Sequence, residues 1–291
     1  MDDKRATLLR SAFEQYLMQL KNGNSNFTEN YLPYDFDDLN AVQWRSFGRL
    51  MVKDELRELI NSLNQWHVAL RKWEAWNTVI SLHASEMDAW DIRMEFLEGT
   101  AHRCLYQPSS MRDMFTLLAT NSMHQVYLAS DPQHEDRLPS DPRDLKSPHY
   151  PSRRQKEKFL KRQIKTAPNS TEFLDALFEL DDDEYRKETS DYRNRTSHAI
   201  GPRLAIGITS TVTRSLVQAK QLQAQPNGTA ISIPIPEKMV VQYGVGGTAP
   251  LAMADALNSN RGQYERAMHC YTQYRKMLSL GVAKIPKAAE P

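Results

Sequence analysis

Residues 191–202 read DYRNRTSHAIGP and set Arg193, Asn194 and His198 inside six positions. A guanidinium presents a planar fork of N–H donors that suits phosphate oxygens. An imidazole gives or takes a proton near neutral pH. An arginine and a histidine this close are therefore a candidate pair for phosphoryl chemistry, with the arginine on the developing negative charge. Tyr192, Arg195 and Ser197 flank them as candidate phosphate contacts. The same residues also suit a capped, salt-bridged helix terminus, and that alternative stays open. Five steps of about 100° put Arg193 and His198 about 140° apart on a regular helix. A joint site then needs distortion at the helix end, the long reach of arginine, or a second copy of the motif across a two-fold axis.

The elements that must hold these residues follow from the rest of the chain. Its 291 residues, 40% apolar and 25% charged, are ordinary for a globular protein with a real core. Lysine and arginine total 37 against 36 acidic residues, so any nucleic-acid surface must be a local patch. Two cysteines, Cys104 and Cys270, make a disulfide framework improbable and point to a reducing, cytoplasmic setting. No apolar run approaches the roughly 20 residues that cross a bilayer, and the amphipathic N-terminus lacks a signal-peptide core. No membrane association is expected.

Apolar spacing predicts a helix over 3–21 and a long helical region over 36–83, with Leu59, Leu63, Trp66, Leu70, Trp73 and Ile80 at spacings of three, four and seven. A further helix over 86–106 carries Met87, Trp90, Met94, Leu97, Ala101 and Cys104 as a core stripe, and Pro108 restarts the chain into another over 110–129. Residues 130–151 hold five prolines and read as an irregular excursion. A basic helix over 153–165 and a long helical stretch up to Gly201–Pro202 come next. Residues 203–246 alternate and are β-branched, which predicts a small antiparallel sheet of about three strands, with Pro234 and Pro236 at an edge. Thr248 is placed to cap a last helix from about Pro250. The expected architecture is mainly α: an N-terminal helix and loop over 1–35, then one helical bundle over 36–291 carrying the excursion and the β insert.

Several motifs carry no chemistry. GVGGTAP lacks the Lys-Ser/Thr ending of a P-loop and the spacing of a dinucleotide fingerprint, so it reads as a turn. No HExxH, paired metal-spaced histidines or serine elbow occur, and neither metal nor cofactor is expected. A second Arg–His pair, Arg143 and His149, sits in the proline-rich excursion without rigid support. The basic helix is more informative: Arg153, Arg154, Lys158 and Arg162, with three further lysines, form either a phosphate-contacting surface or a solvated face. The acidic run at 180–184 offers a third outcome, neutralisation of that charge inside the fold.

Taken with the helical bundle before it and the TSDYRN lead-in, YRNRTSH resembles the motif of the HEPN superfamily, an arginine and a histidine separated by four to six residues. The resemblance covers one short motif and the helix content of roughly 45–280. It implies a homodimer whose paired motifs form one cleft, with RNA as the partner molecule. It implies metal-independent endoribonuclease activity through Arg193, His198 and Asn194, leaving 2′,3′-cyclic phosphate ends. Asn194 then orients the histidine or the ribose. A role in prokaryotic defence or toxin–antitoxin function follows, with an antitoxin or nucleotidyltransferase as a companion. The alternatives are a HEPN-like domain that binds RNA or nucleotide without cutting, and a helical interaction protein. The β-rich insert departs from the minimal family domain.

Overall fold

The computed structural model describes residues 3–22, 31–139, 141 and 150–288. Arg143, His149 and most of the proline-rich excursion lie outside them. The chain is 61% helical with one two-stranded antiparallel sheet. It divides into two compact units, residues 1–189 with 253–291, and residues 190–252. Among the described residues no helix is long and apolar enough to cross a membrane.

In the first unit three long helices pack on one another: α3 (Gly48–Ser81), α5 (Glu98–Ser130) and α10 (Met253–Val282). Helix α1 (Asp3–Asn22) lies on α3. The contact is a column of rings, with Tyr16 stacked on Trp76 at 4.3 Å and Trp76 on Phe96 at 4.5 Å. Helix α2 (Asp37–Asn40) is one turn ahead of α3. Trp66, Trp73, Phe115, Phe173 and Tyr274 are fully buried, so most of the bulky stripes are core, as their spacing predicts.

Two helix boundaries differ from the sequence reading. Helix α4 (Glu86–Ile92) runs through a π-turn at Arg93–Leu97 into α5 without a break. A π-turn adds one residue to the winding and rotates whatever precedes it by about 100°. Met87, ahead of the turn, and Met94, inside it, both read as core, are consequently exposed, while Leu97 at its end and Ala101 and Cys104 beyond it are buried. Pro108 does not restart the chain either; it lies inside α5.

Proline lacks the N–H that would fill the carbonyl four residues back, here Cys104 O. Asn260, completely buried on α10, donates its amide to that carbonyl at 2.8 Å. The same amide group donates to the Tyr185 hydroxyl at 3.0 Å and accepts from the Trp66 indole at 2.8 Å. Tyr185 in turn donates to the next carbonyl, Leu105 O, at 3.2 Å, and burial pushes its phenol well above the usual range. The carbonyl that proline leaves open is thus answered by a closed polar network in the core, which is what keeps the helix continuous.

Helix α6 (Arg153–Gln163) starts in a capping box between Ser152 and Gln155. The region after it is not one helix but two in this unit, α7 (Ser170–Phe178) and α8 (Asp183–Glu188). Asp181 breaks the run with a left-handed backbone, φ 51°.

The second unit holds a short helix, α9 (Tyr192–Ser197), and a long hairpin of β1 (Thr209–Ala224) and β2 (Ala230–Thr248). Two strands replace the expected three. The segment Ile235–Lys238, containing Pro236, is not a turn but a bulge. Gln218 pairs with Met239 and Lys220 with Pro234, so these four residues stand opposite Ala219 alone. The true turn is Pro226-Asn227-Gly228, closed by Gly228 N to Gln225 O at 3.0 Å, with Gly228 at φ 83°.

Candidate functional site

Two consecutive left-handed residues, Ser190 and Asp191, both at φ 52°, open the second unit and turn the chain into α9. Arg193 is therefore on a helix of six residues of its own, not at the end of a long one. The Asp191 carboxylate accepts from the Asn194 side-chain amide at 3.0 Å, and Ser197 Oγ donates to Asn194 O at 2.6 Å. Asn194 is held by Asp191, not by His198. Arg195 donates its guanidinium to Thr248 Oγ1 and so ties the helix to the last residue of β2. That bond occupies the hydroxyl read from the sequence as a helix cap, and α10 starts instead at Met253.

The end of α9 is a Schellman motif. Ile200 N donates to Arg195 O and Ala199 N to Thr196 O, both at 3.0 Å. The left-handed position belongs to Ala199, at φ 59°, where glycine is usual. Gly201, read from the sequence as the terminator, has a different task. A Cβ there would come within 2.1 Å of Thr196 Oγ1 and 3.0 Å of Thr196 Cα, so only glycine allows the chain to fold back over the helix end. Thr209 Oγ1 then donates to Gly201 O at 2.7 Å, joining the return to the root of the hairpin. A backbone bridge between Leu204 and Leu251 closes the same root.

Within this frame Tyr192 is buried, whereas Arg193, Asn194, Ser197 and His198 are exposed. Among the described residues the side chains of Arg193 and His198 make no hydrogen bond or ion pair. The helix is regular from Tyr192 to Ser197, and five regular steps would set the two side chains about 140° apart; His198 itself is the C-cap, at φ −103° and ψ 13°. No hydrogen bond or ion pair joins the two side chains. Of the residues that fix this frame, Asp191 is not singled out by the sequence, while Gly201 and Thr248 read there as a helix terminator and a helix cap rather than for these contacts. An aspartate three residues before an asparagine at a helix start is a readable signal; the Thr248 contact is not, because it depends on the hairpin.

The basic helix divides differently. Arg153 turns inward, with Nε and Nη2 on Asp113 at 2.6 and 2.7 Å, Nη1 on Asp181 at 2.8 Å, and Nη2 also on Ser109 Oγ at 2.6 Å. Burial alone would lower its pKa, but the hydrogen bonds and charges of Asp113 and Asp181 raise it instead. All three guanidinium nitrogens are engaged, which removes Arg153 from the candidate phosphate contacts. The acidic run neutralises this residue, through Asp181, and not the helix as a whole. Arg112 lies beside the cluster, bonded to Glu157 at 2.7 Å and Leu180 O at 2.8 Å. Arg154, Lys158, Lys161 and Lys165 follow one another at four, three and four residues, are exposed, and form no ion pair among the described residues. Arg162 flanks this stripe with its guanidinium 5.2 Å from the Phe159 ring centre. The result is a row of cations on one side of α6, with Lys165 in the turn just past its end.

Among the described residues no group of three or more His, Cys, Asp or Glu side chains is arranged to hold a metal ion. No family model, curated protein or solved structure matches the chain.

Proposed function

We propose that this protein is a HEPN-like endoribonuclease in which Arg193 and His198 carry the chemistry. The observation that supports this most is the contrast within one short helix. Asn194, Arg195 and Ser197 are tied to their surroundings, while the arginine and the histidine are presented to solvent with free side chains. In the proposed reaction the ribose 2′-oxygen attacks phosphorus. A new 2′-O–P bond forms and the P–O5′ bond breaks. His198 accepts the 2′-hydroxyl proton, water donates a proton to the departing 5′-oxygen, and arginine neutralises the charge that grows on the phosphoryl oxygens. The products carry a 2′,3′-cyclic phosphate and a 5′-hydroxyl.

The divergence of Arg193 and His198 makes a two-chain cleft the simplest geometry, with the arginine of one copy and the histidine of the other on the same phosphate. The test is cleavage of single-stranded RNA in excess EDTA. Activity should persist, produce cyclic phosphate ends, and vanish in His198→Ala while the helical circular dichroism is retained. A strict requirement for a divalent cation, or full activity in His198→Ala, would overturn the mechanism.

A second reading, RNA binding without cleavage, is favoured by the cation row on α6. Backbone binding needs clustered charge and no catalytic geometry. An Arg154→Ala/Lys158→Ala/Lys161→Ala/Lys165→Ala variant should then bind all RNA sequences more weakly and show a flatter salt dependence. An unchanged salt slope would assign the row to solvated surface.

A further inference from the structure

The ten register pairs from Thr209–Thr248 to Gln218–Met239 sort the hairpin root into two unlike faces. Paired residues point to the same side of an antiparallel ribbon, and successive pairs alternate. One face carries Thr209 with Thr248, Thr211 with Gly246, Thr213 with Gly244, Ser215 with Gln242, and Val217 with Val240. The other carries Ser210 with Gly247, Val212 with Val245, Arg214 with Tyr243, Leu216 with Val241, and Gln218 with Met239. The first is small and polar apart from the valine pair at its far end; the second gathers six apolar side chains, with Arg214 and Gln218 among them.

The apolar face is bare. Val212 is 70% exposed, Leu216 62%, Tyr243 67% and Val245 90%. An isolated two-stranded ribbon is marginal in water and needs a further layer on its apolar side. Among the 20 residues of this root only Arg214 is charged, so the face has nothing to offer a nucleic acid or a charged peptide, and its edges lack the lysines and prolines that usually guard an exposed strand.

We infer that this face is the contact between two copies of the chain, stacked hairpin on hairpin about a two-fold axis. The choice of a second copy rests on the two-chain cleft proposed above and on three further features. Ten residues per strand at about 3.4 Å, across two strands about 4.8 Å apart, give a face about 34 by 10 Å. Two such faces with their side chains bury about 1,000 Å² together, the lower bound for a specific interface.

The charge pattern is self-complementary in one arrangement. With the axis running along the hairpins, each strand lies over the opposite strand of its partner at the same level. Arg214 then sits over the partner's Tyr243, a cation on a ring face, and the two arginines never meet. Finally, the root is tied to the motif helix by the Arg195–Thr248 and Thr209–Gly201 bonds, so stacking two roots this way carries both motifs to the same end of the dimer.

Sedimentation of the full chain tests this. The wild type should dimerise with a dissociation constant in the micromolar range or below. Leu216→Glu/Val245→Glu should weaken the dimer at least about 100-fold, since each substitution enters the interface twice. Thr213→Glu/Ser215→Glu puts the same charge on the opposite face of the same strands and should leave the constant within about threefold. A wild type that stays monomeric at about 100 µM overturns the inference, as does a Leu216→Glu/Val245→Glu chain that still dimerises. Equal loss in both double variants also overturns it, because the strands rather than the face would then be responsible. RNA cleavage read on the same samples separates the two ideas. A monomer that cleaves removes the docking surface and the two-chain cleft but keeps the ribonuclease; a hairpin-dependent dimer that is inert keeps the docking surface and removes the ribonuclease.

Discussion

The interior around Asn260 and the surface around α9 are both polar, yet they are built on opposite rules. Asn260 lies at zero exposure and every polar atom around it has a partner, including the carbonyl that Pro108 leaves open. On α9 the partnered residues form a frame, and Arg193 and His198 are left outside it. A buried polar group without a partner is expensive, and the network around Asn260 leaves none, although elsewhere in the core the Trp73 indole N–H has no partner among the described residues. A solvated arginine or histidine costs nothing to leave unpaired, and only there can a side chain remain available to a substrate. Polarity alone therefore does not single out a candidate residue in this protein; the proposal for Arg193 and His198 rests on their lack of an internal partner.

Removing Asn260 should have the largest effect on stability. Asn260→Leu strands the Cys104 carbonyl, the Trp66 indole N–H and part of the Tyr185 hydroxyl. Unmade bonds of this kind cost about 1–3 kcal/mol each, so a loss of about 4 kcal/mol is expected in urea unfolding. A loss below about 1 kcal/mol would mean that water or a shifted helix replaces the network.

The basic helix gives a sharper version of the same comparison, because adjacent arginines fall on opposite sides of it. Arg153→Ala leaves Asp181, whose side chain is only 7% exposed, with Arg186 as its remaining ion-pair partner, and should destabilise by about 3 kcal/mol. Arg154→Ala should change stability by less than about 0.5 kcal/mol. Similar effects from the two would erase the distinction between internal and available charge.

A smaller change is expected next to His198. Ala199 holds a left-handed backbone that glycine adopts without a Cβ penalty, so Ala199→Gly should stabilise the second unit by up to about 1 kcal/mol. Amide exchange across residues 195–201 is the suitable measurement, and faster exchange would show that the Schellman turn is not the local anchor.

How much of this was legible in the sequence depended on the range of the physics. Apolar spacing suffices for α3 and α10, because a long helix against a core declares its buried face locally. It fails at Met87 and Met94, because one extra residue in the π-turn rotates the stripe. It fails at Pro108 because the group that repairs the helix, Asn260, is 156 residues away along the chain. The hairpin was misdivided for a different reason. Pro234 and Pro236 read as marking an edge, which passes over Pro-Asn-Gly at 226–228, the stronger turn signal; Pro234 pairs in the ladder and Pro236 sits in a bulge. At the candidate site the residue types were readable but their employment was not. Nothing in the run of basic residues distinguishes Arg153 from Arg154 until Asp113 and Asp181 are placed.

The central claim is that Arg193 and His198 from two chains make one cleft, and mixing two defective chains tests it most directly. Arg193→Ala and His198→Ala homodimers should each be inactive toward RNA. After equimolar exchange, half of the dimers pair one chain of each kind, and each of these keeps one of its two inter-chain Arg–His pairs. The mixture should therefore recover about a quarter of wild-type cleavage. A mixture as inert as its components, beside an active wild type and with exchange verified, would contradict the composite cleft.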